Sequence, residues 1–145
     1  MSRIVHITDI HSKWFNCSFT DVPYIEIVKE FVESSICLED SLYYKYLVKL
    51  LKENGCVWGY INNNEDCFTR TYKFVDIISS IIQKGFNIEE NEIAYLNDLP
   101  YGKITFITEE NKIQVIDGHH RLSVLVYIGV NKFEVKENYL NPIYE

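Results

Sequence analysis

The chain has 145 residues, 47% of them hydrophobic and 14% aromatic, which is ample for one packed core and sets the expectation of a single domain over 1–145. A formal net charge of −7 repels phosphate backbones wherever basic residues do not cluster, so duplex DNA is disfavoured as a partner. The longest apolar-rich stretch, Leu122 to Val130, falls far short of the roughly 20 residues of a membrane span, and MSRIVHITDIHSKWF lacks the apolar run of an export signal, so neither insertion nor export is expected.

Ile4 to Ile10 alternates as a strand does, and an irregular polar and aromatic stretch follows to Pro23. A helix is predicted from Tyr24 to Glu33 on the stripe Ile25, Val28, Val32. Asp40-Ser41 can cap a second helix that runs to Glu53, turns Leu42, Tyr46, Leu47, Leu50 and Leu51 inward, and stops at Asn54-Gly55. Lys45, Lys49 and Lys52 form a row on that helix, read as a solvated face. The asparagine-rich stretch Gly59 to Asp66 reads as a loop separating an accessory segment, 1–62, from the segment 63–140.

A third helix is predicted from Phe68 to Lys84, ending at Gly85. Glu89 to Pro100 fits no single pattern, and its cluster Glu89, Glu90, Glu92 reads as exposed charge. Lys103 to Thr108 and Asn111 to Ile116 have the pattern of a hairpin turning at Glu109-Glu110, and Lys132 to Lys136 closes the series as a strand. Cys17, Cys37, Cys56 and Cys67 form no C-x-x-C pair, which suits reduced thiols in a cytoplasm better than a zinc site. Trp14, Tyr43, Tyr44 and Trp58 either fill the core, the ordinary place for such rings, or line a second pocket.

Chemistry concentrates in KIQVIDGHHRLSVLVYIGV, Lys112 to Val130, where a strand pattern breaks at Asp117-Gly118 straight into a helix pattern. Gly118 permits the tight turn, and Leu122, Leu125 and Val126 give the helix its apolar spacing. The free N–H groups of a helix N-terminus, the positive end of its dipole and the Arg121 guanidinium would converge on one point, which suits a phosphate.

The pentapeptide DGHHR in this setting resembles the phosphate loop of the ParB/sulfiredoxin superfamily, and its D-G-H-x-R form is closest to the free serine kinase branch. The resemblance runs from about Glu65 to Val135 and takes in FVDIISSIIQKGF and KFEVK. It departs from sulfiredoxins, whose nucleophilic cysteine is replaced here by His119, and from chromosome-segregation ParB proteins, whose loop is more basic.

The resemblance implies an α/β (α+β) fold, a small mixed sheet flanked by helices with a helical N-terminal extension. It further implies binding of ATP or another nucleotide with Mg²⁺ through Asp117, Gly118, His119, His120 and Arg121, and transfer of a phosphoryl group to an unknown small-molecule or protein acceptor, or hydrolysis. Kinase-like relatives place an acidic residue before the helix that precedes the core strand. In NNNEDCFTR this makes Glu65 the candidate base and Asp66 the second, with helix capping or solvation as the alternative role of both. Arg70 could reach phosphate from the same stretch.

Within the loop, Asp117 is expected to cap the following helix. Adjacent helical residues diverge by about a hundred degrees, so one histidine should face the ligand, His119 by the family match, while His120 packs or is solvated. Arg121 should grip phosphate bidentately. Two other classes stay open: a non-catalytic nucleotide-sensing or protein-interaction module, and a ParB-like nuclease or DNA-associated protein. A separate motif, HITDIH at His6 to His11, resembles the D-x-H opening of calcineurin-like metallophosphoesterases, which would set Asp9 and His11 on one strand face. The further Gly-Asp and Gly-Asn-His motifs of that family are absent, so a plain strand surface is the preferred reading.

Overall fold

Lys112–Asp117 is the strand around which the fold is organised, because Ile113, Gln114 and Val115 in succession are buried, as befits a strand covered on both faces. The computed structural model describes residues 2–84, 104–109 and 112–136. In chain order these give strands β1 (Ser2–His6), β2 (Ile10–Ser12) and β3 (Cys17–Ser18), and helices α1 (Pro23–Glu33), α2 (Leu42–Asn54) and α3 (Asn64–Lys84). Strands β4 (Thr105–Glu109) and β5 (Lys112–Asp117), helix α4 (His119–Tyr127) and strand β6 (Lys132–Lys136) follow.

The mixed α+β class expected from the sequence is the class observed. One sheet has the order β3-β2-β5-β4, with β2 parallel to β5 and the other pairs antiparallel; β1 and β6 form a separate antiparallel pair. Residues 2–18 thus supply strands to both sheets, and each of those sheets is completed from beyond residue 104.

Several boundaries differ from the sequence reading. The single strand Ile4 to Ile10 is two strands in two sheets, because a 3-10 turn over Ile7–Asp9 rotates the chain between them, with the Ile7 N–H donating to the Asn131 carbonyl at 2.8 Å. Burial records the break: Val5 and Ile7 alternate, but the next buried residue is Ile10. Asp9 therefore lies in the turn and not on the strand of His11, which removes the metallophosphoesterase arrangement. Helix α3 begins at Asn64, not Phe68, because Asn63 accepts the Asp66 N–H at 2.8 Å and Asp66 accepts the Asn62 N–H at 2.9 Å, a reciprocal start for a helix. Helix α2 is capped as expected, Ser41 accepting the Tyr44 N–H and Gly55 leaving in the left-handed region at φ +76°. Its buried residues are Tyr43 and Leu47, however, while Leu42 is 46% exposed. Gly85, the Glu89 to Glu92 cluster and Glu110 lie outside the described residues.

Two apolar clusters make the core. One joins the strands, with Val5, Ile10, Phe106, Val115, Leu122 and Leu125 among its members. The other joins α1, α2 and α3, with Val28, Leu47, Ile61, Phe74 and Val124. Helix α4 lies between them: Leu122 and Leu125 enter the strand-side cluster, Val124 and Tyr127 the helix-side one. An apolar spacing on two faces at once is what a short helix wedged between two layers requires.

Candidate functional site

The junction predicted from the sequence is present: β5 ends at Asp117, Gly118 takes the N-cap position with φ +91°, and α4 begins at His119. Only glycine reaches that backbone region without cost. Because Gly118 occupies the cap, no side chain caps the helix. Asp117, expected to do so, is exposed and instead accepts the N–H of Gly118 at 2.9 Å. Partial desolvation pushes its carboxyl pKa upward from its ordinary value, and that hydrogen bond opposes the rise.

The two histidines follow the two faces of α4, and both turn inward. His119, expected to face a ligand, is 2% exposed. Its Nε2 lies 2.8 Å from Ser12 Oγ, and the rings of Trp14, Phe15 and Phe19 stand within 5.8 Å of its own. Ser12 Oγ also accepts the Phe15 N–H at 3.0 Å. With that acceptance fixed, the hydroxyl proton has one partner left to serve, so we assign it as donating to Nε2, which puts the imidazole proton on Nδ1. Nδ1 is buried and has no hydrogen-bond partner among the described residues. Burial lowers the His119 pKa to about 4, so the ring is neutral at physiological pH.

His120 points the other way, into a cage of rings. Tyr24 stacks on it at 4.5 Å, and Phe74 and Tyr43 meet it edge to face at 4.6 and 5.6 Å. Tyr43 Oη lies 2.7 Å from Nε2, and Arg70 Nη2 lies 3.3 Å from each ring nitrogen. A guanidinium can only donate, so the assignment that serves both nitrogens has Nε2–H donating to Tyr43 and Nδ1 accepting from Arg70. Burial, then the Arg70 charge, then His119 hold the His120 pKa well below its ordinary value. Arg70 also sits over the Tyr43 ring, 5.9 Å from its centroid.

Arg121 takes the third face of α4. It is half-buried and makes no hydrogen bond or ion pair among the described residues. Partial burial lowers its pKa, yet an arginine stays charged at any physiological pH. The site therefore presents an uncapped helix N-terminus, a guanidinium beside it that is unpaired among the described residues, a second guanidinium on His120, and two neutral imidazoles that brace the loop from within.

Glu65 is exposed in the first turn of α3 and makes no hydrogen bond or ion pair among the described residues. Asp66 is occupied in the helix start. Arg70, one turn further along α3, is the residue of that stretch that reaches the junction. Sequence reasoning left Tyr43 as core or second pocket and gave Tyr24 and Phe74 no role at the site; no local signal marks the three, because their link to His120 exists only in the fold. Among the described residues no group of three or more His, Cys, Asp or Glu converges to hold a metal, and no helix is long and apolar enough to cross a membrane. No protein-family model, curated protein or solved structure matches the chain.

Proposed function

We propose that the chain binds a nucleotide through its phosphates at the turn Gly118 to Arg121. The observation that carries this reading is the uncapped N-terminus of α4 with Arg121 at its third residue, half-buried and unpaired among the described residues. Backbone N–H groups, helix dipole and guanidinium are three sources of attraction for one anion. Gly118 contributes by offering backbone with no side chain in the way. The likeness of DGHHR to the phosphate loop of the ParB/sulfiredoxin superfamily supports the same reading.

The histidines have a different role in this proposal from the one the motif suggests. Neutral and internally bonded, they set the register of α4 and leave phosphate charge to the backbone and Arg121. Magnesium, which usually binds through one or two carboxylates together with substrate phosphates, would arrive with the nucleotide, and Asp117 is the carboxylate next to the turn.

Binding is the function supported best, and phosphoryl transfer is the second reading. Glu65 stands on the helix that brings Arg70 to the junction, which makes it the side chain from which a base could be drawn. Calorimetric titration with ATP, ADP, CTP and GTP in the presence of magnesium tests the first reading. Micromolar binding that Arg121→Ala abolishes is the expected result; heat-silent titrations with all four would overturn it.

A further inference from the structure

Trp14 and Trp58, the only two tryptophans in the chain, meet with ring centroids 5.7 Å apart at 72°. Trp14 sits in the turn between β2 and β3, stacked on Phe15 and edge-on to His119 at 5.2 Å, with 51% of its surface exposed. That turn is tied down through the Phe15 N–H on Ser12, whose hydroxyl is itself bonded to His119.

Trp58 belongs to a second tight turn. Val57 and Ile61 exchange backbone hydrogen bonds at 2.9 and 3.0 Å, the Tyr60 N–H donates to the Val57 carbonyl at 3.2 Å, and the central residues Trp58 and Gly59 have φ of +52° and +79°. Two successive left-handed residues favour Asn, Asp or Gly. A bulky ring there is an outlier that the surrounding fold must hold in place. The consequence is positional: the Trp58 indole is set against Trp14, 6.1 Å from the His120 ring and 6.4 Å from Tyr60, itself 54% exposed. Each tryptophan is thus in ring contact with one of the two histidines that open α4.

An exposed indole beside an anion site calls for a partner that is planar and carries a negative tail. Resting on the phosphate reading above, we infer that Trp14, with Trp58 and Tyr60 beside it, is the face on which the base of the bound nucleotide stacks. Aromatic stacking accepts any base, because each presents a π-face, so this face gives affinity without strong discrimination among purines and pyrimidines.

The protein supplies its own probe, since all of its tryptophan fluorescence comes from this pair. Adenosine and ATP are expected to quench that emission, and inorganic triphosphate is expected to bind by calorimetry without comparable quenching. Trp14→Ala should weaken ATP about tenfold or more, down to the affinity of inorganic triphosphate, and leave inorganic triphosphate unchanged. Trp14→Phe, which keeps a ring, should retain most of the ATP affinity, and circular dichroism would verify that both variants are folded. Equal affinity for ATP and inorganic triphosphate, with ATP binding untouched by Trp14→Ala, would overturn the stacking face and leave the phosphate site standing. Quenching by adenosine with no binding of inorganic triphosphate, and no effect of Arg121→Ala on ATP, would leave the stacking face and remove the phosphate site. Silence with all three probes overturns both.

Discussion

Ser12 Oγ and His119 Nε2 lie 2.8 Å apart across 107 residues of sequence, joining the end of β2 to the first residue of α4. Both side chains are buried, so the bond has no water to replace it. Ser12→Ala would strand Nε2 of His119 and the Phe15 N–H together. An unsatisfied buried group costs about 1–3 kcal/mol, and a loss in that range is expected in the unfolding free energy obtained from urea titration at neutral pH.

Acid should weaken the fold through the two buried histidines of α4. His119 has its folded pKa depressed to about 4 from an ordinary 6.5, and His120 is depressed in the same direction. Between those values the unfolded chain binds protons that the folded chain refuses, so stability falls as pH falls. The contribution is whole above pH 6.5 and lost progressively towards pH 4, and for His119 it amounts to about 3 kcal/mol. Urea unfolding followed at pH 7.5, 6, 5 and 4.5 measures it, and His119→Asn should flatten the profile.

Arg70 depresses the pKa of His120 by its charge. Arg70→Gln keeps a donor and removes that charge. The prediction is that the His120 resonance, followed by NMR, titrates at higher pH in the variant than in the parent, while His119 moves little.

Gly118 holds φ at +91°, a region where a side chain costs about 1–2 kcal/mol. Gly118→Ala should lower stability by that amount and weaken ATP in calorimetry as well, because relief of the strain must move the first N–H groups of α4. A variant that is destabilised but binds ATP normally would separate the turn from the ligand.

Glu65 is exposed and unbonded among the described residues, so Glu65→Gln should change stability by less than about 0.5 kcal/mol and leave nucleotide affinity alone. If turnover of ATP is found in the parent and lost in this variant, Glu65 is the base.

Local features of this chain were legible and distant ones were not. The strand, glycine turn and helix over 112–127 follow from short-range pattern, as does the Ser41 cap of α2. The inward turn of His119 was not, because its partner Ser12 and its neighbours Trp14, Phe15 and Phe19 are a hundred residues away in sequence. Tyr43 was likewise read as one ring among several, yet it is the bonded partner of His120. Trp58 hid for another reason: Trp-Gly is no turn signal, and a left-handed tryptophan is affordable only when tertiary contacts hold it.

The interlacing of residues 2–18 with strands beyond residue 104 has a consequence for how the molecule forms. β2 cannot find its parallel partner, nor β1 its antiparallel one, until β5 and β6 have been synthesised. Loop closure over such separations is slow, so the helices α1 to α3 are free to associate first and the sheets must close last. A ribosome-stalled chain ending before β5 should therefore show helical signal, with at most the short β2–β3 turn formed among the early strands and β1 open to proteases until β6 emerges.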